Sequence, residues 1–259
     1  MKVRDIIAAI EDFAPAALQE DYDNTGLQIG SPEQEVHGVL VGFDCTEALV
    51  QEAVSRGCDM IITHHPLIFH PLRTICPSDP VGATVVAAIK AGVAVYASHT
   101  AADKTPDGVS WTMARKLGLQ DVRVLVPEAP GVGFGVIGEL PEALPAADAV
   151  ALVKKAFGAP VVRTSPLIKE PIRTLAMCGG SGSSLIGKAM EAGAQMYICG
   201  DISYHCFFVP EGFMVVDTGH FETEVEIVGV LLSVIRKKFP NFVSLMSDRI
   251  ETANPVNYL

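Results

Sequence analysis

The sequence predicts an α/β chain of two lobes, each built on a βαβ unit with its polar residues gathered at the carboxyl ends of parallel strands. Short apolar strands alternate with amphipathic helices, which is the rhythm of parallel sheets. One α/β stretch repeats later in the chain. Finally, 259 residues with 49% apolar and 19% charged side chains are ample for a core and exclude disorder. The expected lobes are residues 1–125 and 126–259, with the C-terminal segment free to pack back on the first.

Val3, Ile6, Ile7 and Ile10 fall on one face of an N-terminal helix. The polar stretch EDYDNTGLQIG (20–30) reads as a loop. GVLVGFD (38–44) is a strand, Thr46 to Arg56 a helix, and CDMIIT (58–63) a second buried strand. Val81 to Ala91 is a helix, VAVYAS (93–98) a strand, and Val109 to Leu117 a helix. The region 123–170, rich in proline and glycine, should hold two strands and one helix at about 146–157. The βαβ rhythm then resumes with TLAMC (174–178), a helix Leu185 to Ala192, strands MYIC and MVVD, a helix Glu224 to Lys237, and a last strand in NFVSLM.

Residues 38–65 shifted by 136 lie on 174–201 without a gap. Leu49 meets Leu185, Ala53 meets Ala189, Gly57 meets Gly193, Met60 meets Met196 and Ile62 meets Ile198. A shift of 121 lays VYASHTAAD (95–103) on VDTGHFETE (216–224), so His99 meets His220 and Asp103 meets Glu224. Each half therefore offers a strand followed by His-x-x-x-acid. Both halves would present these residues where α/β sheets bind ligands.

Charge and hydropathy narrow the function classes. The formal charge of −11 disfavours a sequence-independent nucleic-acid or anionic-membrane binder. Mean hydropathy is +0.34, yet no apolar run approaches the roughly 20 residues that span a bilayer. The opening MKVRDIIAAIEDFAP lacks a signal-peptide pattern. Six cysteines without a CxxC pair suggest a reduced, cytoplasmic setting.

The strongest chemical signal is Thr63-His64-His65-Pro66 at the end of a strand. Past a strand end, adjacent histidines need not point to opposite faces, so they can serve two neighbouring metals; the alternative is a pair of solvated loop histidines. Imidazole suits zinc, iron, nickel or copper, and added carboxylates admit manganese. His220 and Glu224 share a face if helical. Asp201 and His205 follow another strand; they could orient ligating histidines, bind substrate or cap the loop. His99, His205 and Asp201 are the candidates for proton transfer. His37 and His70 read as solvated. Gly133-x-Gly-x-x-Gly138 lacks the strand–helix frame of a nucleotide fingerprint. Cys178-Gly-Gly-Ser-Gly opens a helix and could either hold a phosphate or form a serine-capped turn. The cysteines read as small apolar core residues.

YDNTGLQIG, IITHHPLIFHPL, HTAAD, CGGSGSSLI, GDISYH and DTGHFETE occur in the order seen in the GTP cyclohydrolase 1 type 2 family, the NIF-three-like dinuclear-metal proteins. The resemblance runs from the first residues to the terminal ANPVNYL and implies a two-lobed NIF-three-like fold with a metal site in the cleft. It implies two divalent ions per chain (zinc, iron or manganese) on His64, His65, Asp103, His220 and Glu224, with Glu224 bridging. It also implies a ring-shaped homohexamer, here in a short form without the inserted middle domain. Two departures touch the pocket wall: Tyr22 stands where the family often has Trp, and Ala101-Ala102 where it usually has Asn-Leu.

The expected function is metal-dependent hydrolysis of a small molecule, with a GTP-like purine ring opening as one case. The same metals would suit phosphoester or amide hydrolysis. The rival is a non-catalytic metal-binding or regulatory protein. A DNA-associated ring is disfavoured by the charge.

Overall fold

Two β-sheets, each with its own helices, organise the chain. The computed structural model describes residues 1–259, the side chain of Glu251 excepted. One unit comprises Met1–Ala102 with Ile227–Pro255, and the other Asp103–Glu226 with Val256–Leu259. The division falls at 102/103 rather than at 125/126. The reason is helix α5 (Val109–Lys116), which packs on strands of the second sheet.

The first unit holds α1 (Val3–Phe13), β1 (Gly26–Ile29), β2 (Gly38–Val41), α2 (Glu47–Ser55), β3 (Met60–Thr63), α3 (Pro80–Ala91), β4 (Ala94–Ala97), α9 (Ile227–Lys238) and β11 (Val243–Met246). Its sheet runs β1-β4-β3-β2-β11, and all neighbours are parallel except β1 against β4. Met60, Ile61 and Ile62 are fully buried, as expected for a parallel strand covered on both faces. Val3, Ile6, Ala9 and Ile10 bury the inner face of α1. Thr46 caps α2 by accepting from the Leu49 amide, and α3 runs from an Asp79 cap to left-handed Gly92. Gly26–Ile29 falls in the stretch read as a loop. It is a half-buried edge strand of four residues with Gln28 inside it, too short and polar to show alternation.

The second unit holds α5, β5 (Gln120–Ala129), β6 (Val132–Leu144), α6 (Ala146–Phe157), β7 (Arg163–Thr164), β8 (Ile172–Ser181), α7 (Ile186–Glu191), β9 (Met196–Gly200), β10 (Met214–Asp217) and α8 (His220–Glu224). The five-residue helix α4 (Thr100–Lys104) carries the chain across the unit boundary. The second sheet runs β5-β6-β8-β9-β10-β7, with β8, β9 and β10 parallel. The GxGxxG glycines lie within β6, where a Cβ at Gly133 would come within 2.1 Å of the Val126 carbonyl oxygen. The helix expected from Glu224 onward is divided: Glu224 ends α8, and α9 begins at Ile227 in the other unit.

The repeat is visible in both sheets. β2, α2 and β3 correspond to β8, α7 and β9, and β4 corresponds to β10; the parallel order β4-β3-β2 recurs as β10-β9-β8. No helix of the described residues is long and apolar enough to cross a membrane.

β11 is tied down by Glu52 of α2. This buried carboxylate accepts from the Ser247 hydroxyl at 2.7 Å, the Asp248 amide at 2.8 Å and Arg56 at 2.7 Å. Burial alone would raise its pKa, but these donors outweigh burial and hold it below the ordinary 4.5. A depressed carboxylate stabilises the fold above its unfolded pKa, and that stability is lost as pH falls through the folded value. Glu52→Gln should therefore cost about 1–3 kcal/mol at neutral pH in urea unfolding. The gap between variant and wild type should close as pH drops below 4.5.

Candidate metal centre

In the first unit, register brings three polar positions into one row. Val39 pairs with Met60, and Met60 with Ala94. Continued past the strand ends, the same register aligns Asp44, His65 and His99. The side chains follow it: His65 Nδ1 donates to Asp44 Oδ1 at 2.7 Å, and the rings of His65 and His99 lie 5.3 Å apart. One step earlier, His64 Nδ1 donates to the Ser98 carbonyl at 3.0 Å. His99 Nδ1 donates to Asp23 Oδ1 at 2.7 Å. Burial opposes ionisation of Asp23, but donors from His99, Thr100 and Asn24 prevail and hold its carboxyl far below the usual range.

Each imidazole thus spends its Nδ1 proton on an acceptor, which sets the tautomer and puts a lone pair on Nε2. One ligand atom from each of His64, His65 and His99 lies within 4.8 Å of the others. Imidazole donors at that spacing are close enough to share one cation. A histidine oriented through its second nitrogen by a carboxylate or carbonyl is the arrangement metal sites use. The donor set fits a divalent transition metal.

In the second unit, α8 lies directly on glycine backbone. A Cβ at Gly180 would meet Glu224 Oε1 at 2.2 Å, and one at Gly179 would meet Glu224 Cγ at 3.1 Å. A Cβ at Gly200 would meet the His220 backbone at 2.7 Å. The Gly180 amide donates to Thr223 Oγ1 at 3.0 Å. On this floor, His220 Nε2 and buried Glu224 Oε2 stand 2.9 Å apart, and His220 Nδ1 donates to Asp201 Oδ2 at 2.7 Å. Asp201 adopts a left-handed φ of 53°, unusual for a residue with a side chain. Behind them, Cys178 is buried; desolvation first, then the carboxylates of Asp103 and Glu224, push its thiol well up. Burial likewise raises Cys199 to about 12, so neither is a reactive thiolate.

A family model described as Duf34/NIF3 (NGG1p interacting factor 3) matches residues 1–255. The chain belongs to the Duf34/NIF3 family. A Clostridium perfringens protein named GTP cyclohydrolase 1 type 2 homolog is 30% identical over 266 aligned residues, covering 100% of both chains. A Lactococcus lactis protein of the same name is 36% identical over 226 residues, covering 85% of this chain and 86% of its own. A solved structure of a Staphylococcus aureus hypothetical protein superposes with a TM-score of 0.91 at 26% identity, over 100% of this chain and 99% of that one.

For this Duf34/NIF3 chain, the strand-end positions read from sequence divide between the units. His64, His65 and His99 cluster in the first; Asp103, His220, Glu224 and Asp201 belong to the second. His205 does not join Asp201 at His220. It stands exposed between the rings of Tyr204, 5.3 Å away, and Phe208, 6.5 Å away. The CGGSG stretch also differs from a phosphate loop: its Gly180 amide is spent on Thr223, and its glycines are the floor for α8. His37 is exposed, and its bond to Asp59 shows that a carboxylate partner without converging rings makes no site. Sequence reasoning missed Asp23 and Asp44. Asp23 lies in the YDNTG motif, and Asp44 lies in the loop between β2 and α2, but only the pairing of neighbouring strands connects them to His99 and His65.

Two outcomes follow from this geometry. Asp44→Ala should weaken zinc binding roughly 10- to 100-fold in calorimetric titration while the melting temperature stays close to wild type. Gly180→Ala forces a Cβ against Glu224 at φ 56°. It should lower stability by about 1–3 kcal/mol in urea unfolding and weaken metal binding as well.

Proposed function

We propose that this protein binds two divalent metal ions per chain on His64, His65, Asp103, His220 and Glu224, with Glu224 as the bridge, and hydrolyses a small molecule there. The observation that carries the reading is the orientation of four strand-end histidines, each held at Nδ1 by a carboxylate or a carbonyl. The pairing of His220 with buried Glu224 supports it, as do the names of the relatives. Bound there, paired ions supply Lewis acidity and a hydroxide at neutral pH.

The chain's own residues then have separate tasks. Asp44, Asp23, Asp201 and the Ser98 carbonyl keep the imidazoles in one tautomer and one orientation. His99, edge-on to His64 and His65 at 5.3 Å, is the candidate to hold or pass a proton at Nε2. Zinc, iron and manganese all suit the donors. The substrate class to test first is a nucleotide, with GTP ring opening suggested by the relatives' name. A cytoplasmic location and a homohexameric ring complete the reading, the ring being measurable by light scattering.

The deciding experiment is elemental mass spectrometry on protein purified without added metal or chelator, beside His65→Ala and Glu224→Ala. Close to two metals per wild-type chain, falling in both variants, is the expected result. Metal-loaded protein should then hydrolyse at least one of a nucleotide, phosphodiester or amide panel, with activity lost in both variants. A wild type that refuses zinc, manganese and iron ends the reading. Metal without turnover leaves the regulatory alternative.

A further inference from the structure

The helix that carries His220 and Glu224 has five residues and cannot hold its own conformation. It is fixed from three sides. Asp217 accepts from the Gly219 amide at 3.0 Å and from the Ile202 amide at 2.9 Å. Thr223 ties α8 to Gly180. The third anchor is Glu222, a buried carboxylate folded back over Gly219. The position of a Cβ at Gly219, whose φ is 94°, lies 2.1 Å from Glu222 Oε2 and 3.2 Å from the Tyr258 hydroxyl. Tyr258 donates to the Glu222 carboxylate from the segment Val256–Leu259, which belongs to the same unit as α8.

We propose that Tyr258 is a positioning residue of the metal centre: its hydroxyl holds Glu222 over Gly219 and thereby fixes the helix that presents His220 and Glu224. The inference rests on the reading of those two residues as ligands. Tyr258 acts through Glu222. A buried carboxylate that loses the Tyr258 donor is held less firmly or turns toward water. Either response loosens the turn at Gly219, whose backbone geometry leads directly into His220. The chain thus uses a residue far along the sequence to close the second half of its own site.

The test uses the full-length protein with Tyr258→Phe, Glu222→Ala and both together. Three quantities are read: zinc affinity by calorimetry, hydrogen exchange of 218–224 without metal, and melting temperature without metal. Tyr258→Phe should raise exchange in that segment and weaken zinc binding, each roughly tenfold, while the melting temperature stays within about 2 °C. The double variant should be no weaker than Glu222→Ala alone, since one hydrogen bond is being removed twice. Unchanged local exchange overturns the proposal. So does a general rise in exchange with a falling melting temperature, which marks a merely structural residue. A wild type that binds no zinc, manganese or iron overturns the metal reading instead, and the exchange result still decides whether Tyr258 fixes α8.

Discussion

An imidazole buried at the end of a parallel strand must place its N–H on an acceptor, and the strand ends of this fold are arranged around that need. In a parallel sheet the loops after the strands leave at the same edge, so His64 and His65 find their acceptors just past the ends of neighbouring strands. His64 uses the Ser98 carbonyl and His65 uses Asp44. Once Nδ1 is committed, rotation of the ring is blocked and Nε2 has one direction. Without Asp44 and Asp23, the two outer rings could turn toward solvent, and the convergence of three nitrogens would be lost. The proposed metal chemistry therefore depends on carboxylates that need not touch a metal.

The second unit meets a different demand. Glu224 is a buried carboxylate on a helix too short to be rigid. It can be held only if the helix lies against backbone, and side chains on the supporting strands would prevent that. Gly179, Gly180 and Gly200 remove those side chains. Left-handed Gly180 and Gly219 then shape the turns on either side of the contact. The glycine run that resembles a phosphate loop in sequence is thus explained by close packing of an acidic helix. The two uses share a composition because both need exposed backbone; which one applies depends on whether a side chain from elsewhere in the chain already occupies it.

Much of the architecture was legible because its signals are local. Apolar strands, capped helices and the gapless repeat located β2, α2, β3, β8, α7 and β9. The short helix α8, the edge strand β1 and the partition at 102/103 were not legible. Each is decided by contacts far away in sequence: β1 by pairing with β4, and the boundary by α5 packing on β6 and β8. The strand-end histidines were readable as a pattern, since polar residues after an apolar strand stand out. Asp23 and Asp44 were not, because an aspartate in a loop has many ordinary uses. Only strand register assigns Asp44 to His65.

The repeat also explains how one scaffold supplies two kinds of residue. The shift that lays β3 on β9 lays His65 on Asp201. In the first half, the position after the strand holds an imidazole whose neighbour across the next strand is His99. In the second half it holds a carboxylate whose neighbour is His220, and the two are bonded at 2.7 Å. The registers differ by one residue: continued past the strand ends, β3 and β4 align His65 with His99, whereas β9 and β10 align Asp201 with Gly219, the residue before His220. The residue types differ as well. The first half spends the position on a candidate ligand and must import Asp23, from before β1, to orient His99. The second half spends it on the orienting acid, and Asp201 accepts a left-handed backbone to reach His220. A βαβ unit repeated with identical residues in both halves would have lacked one role or the other; divergence at two adjacent strand-end positions, His64-His65 against Gly200-Asp201, lets one half concentrate imidazoles and the other orient its own histidine.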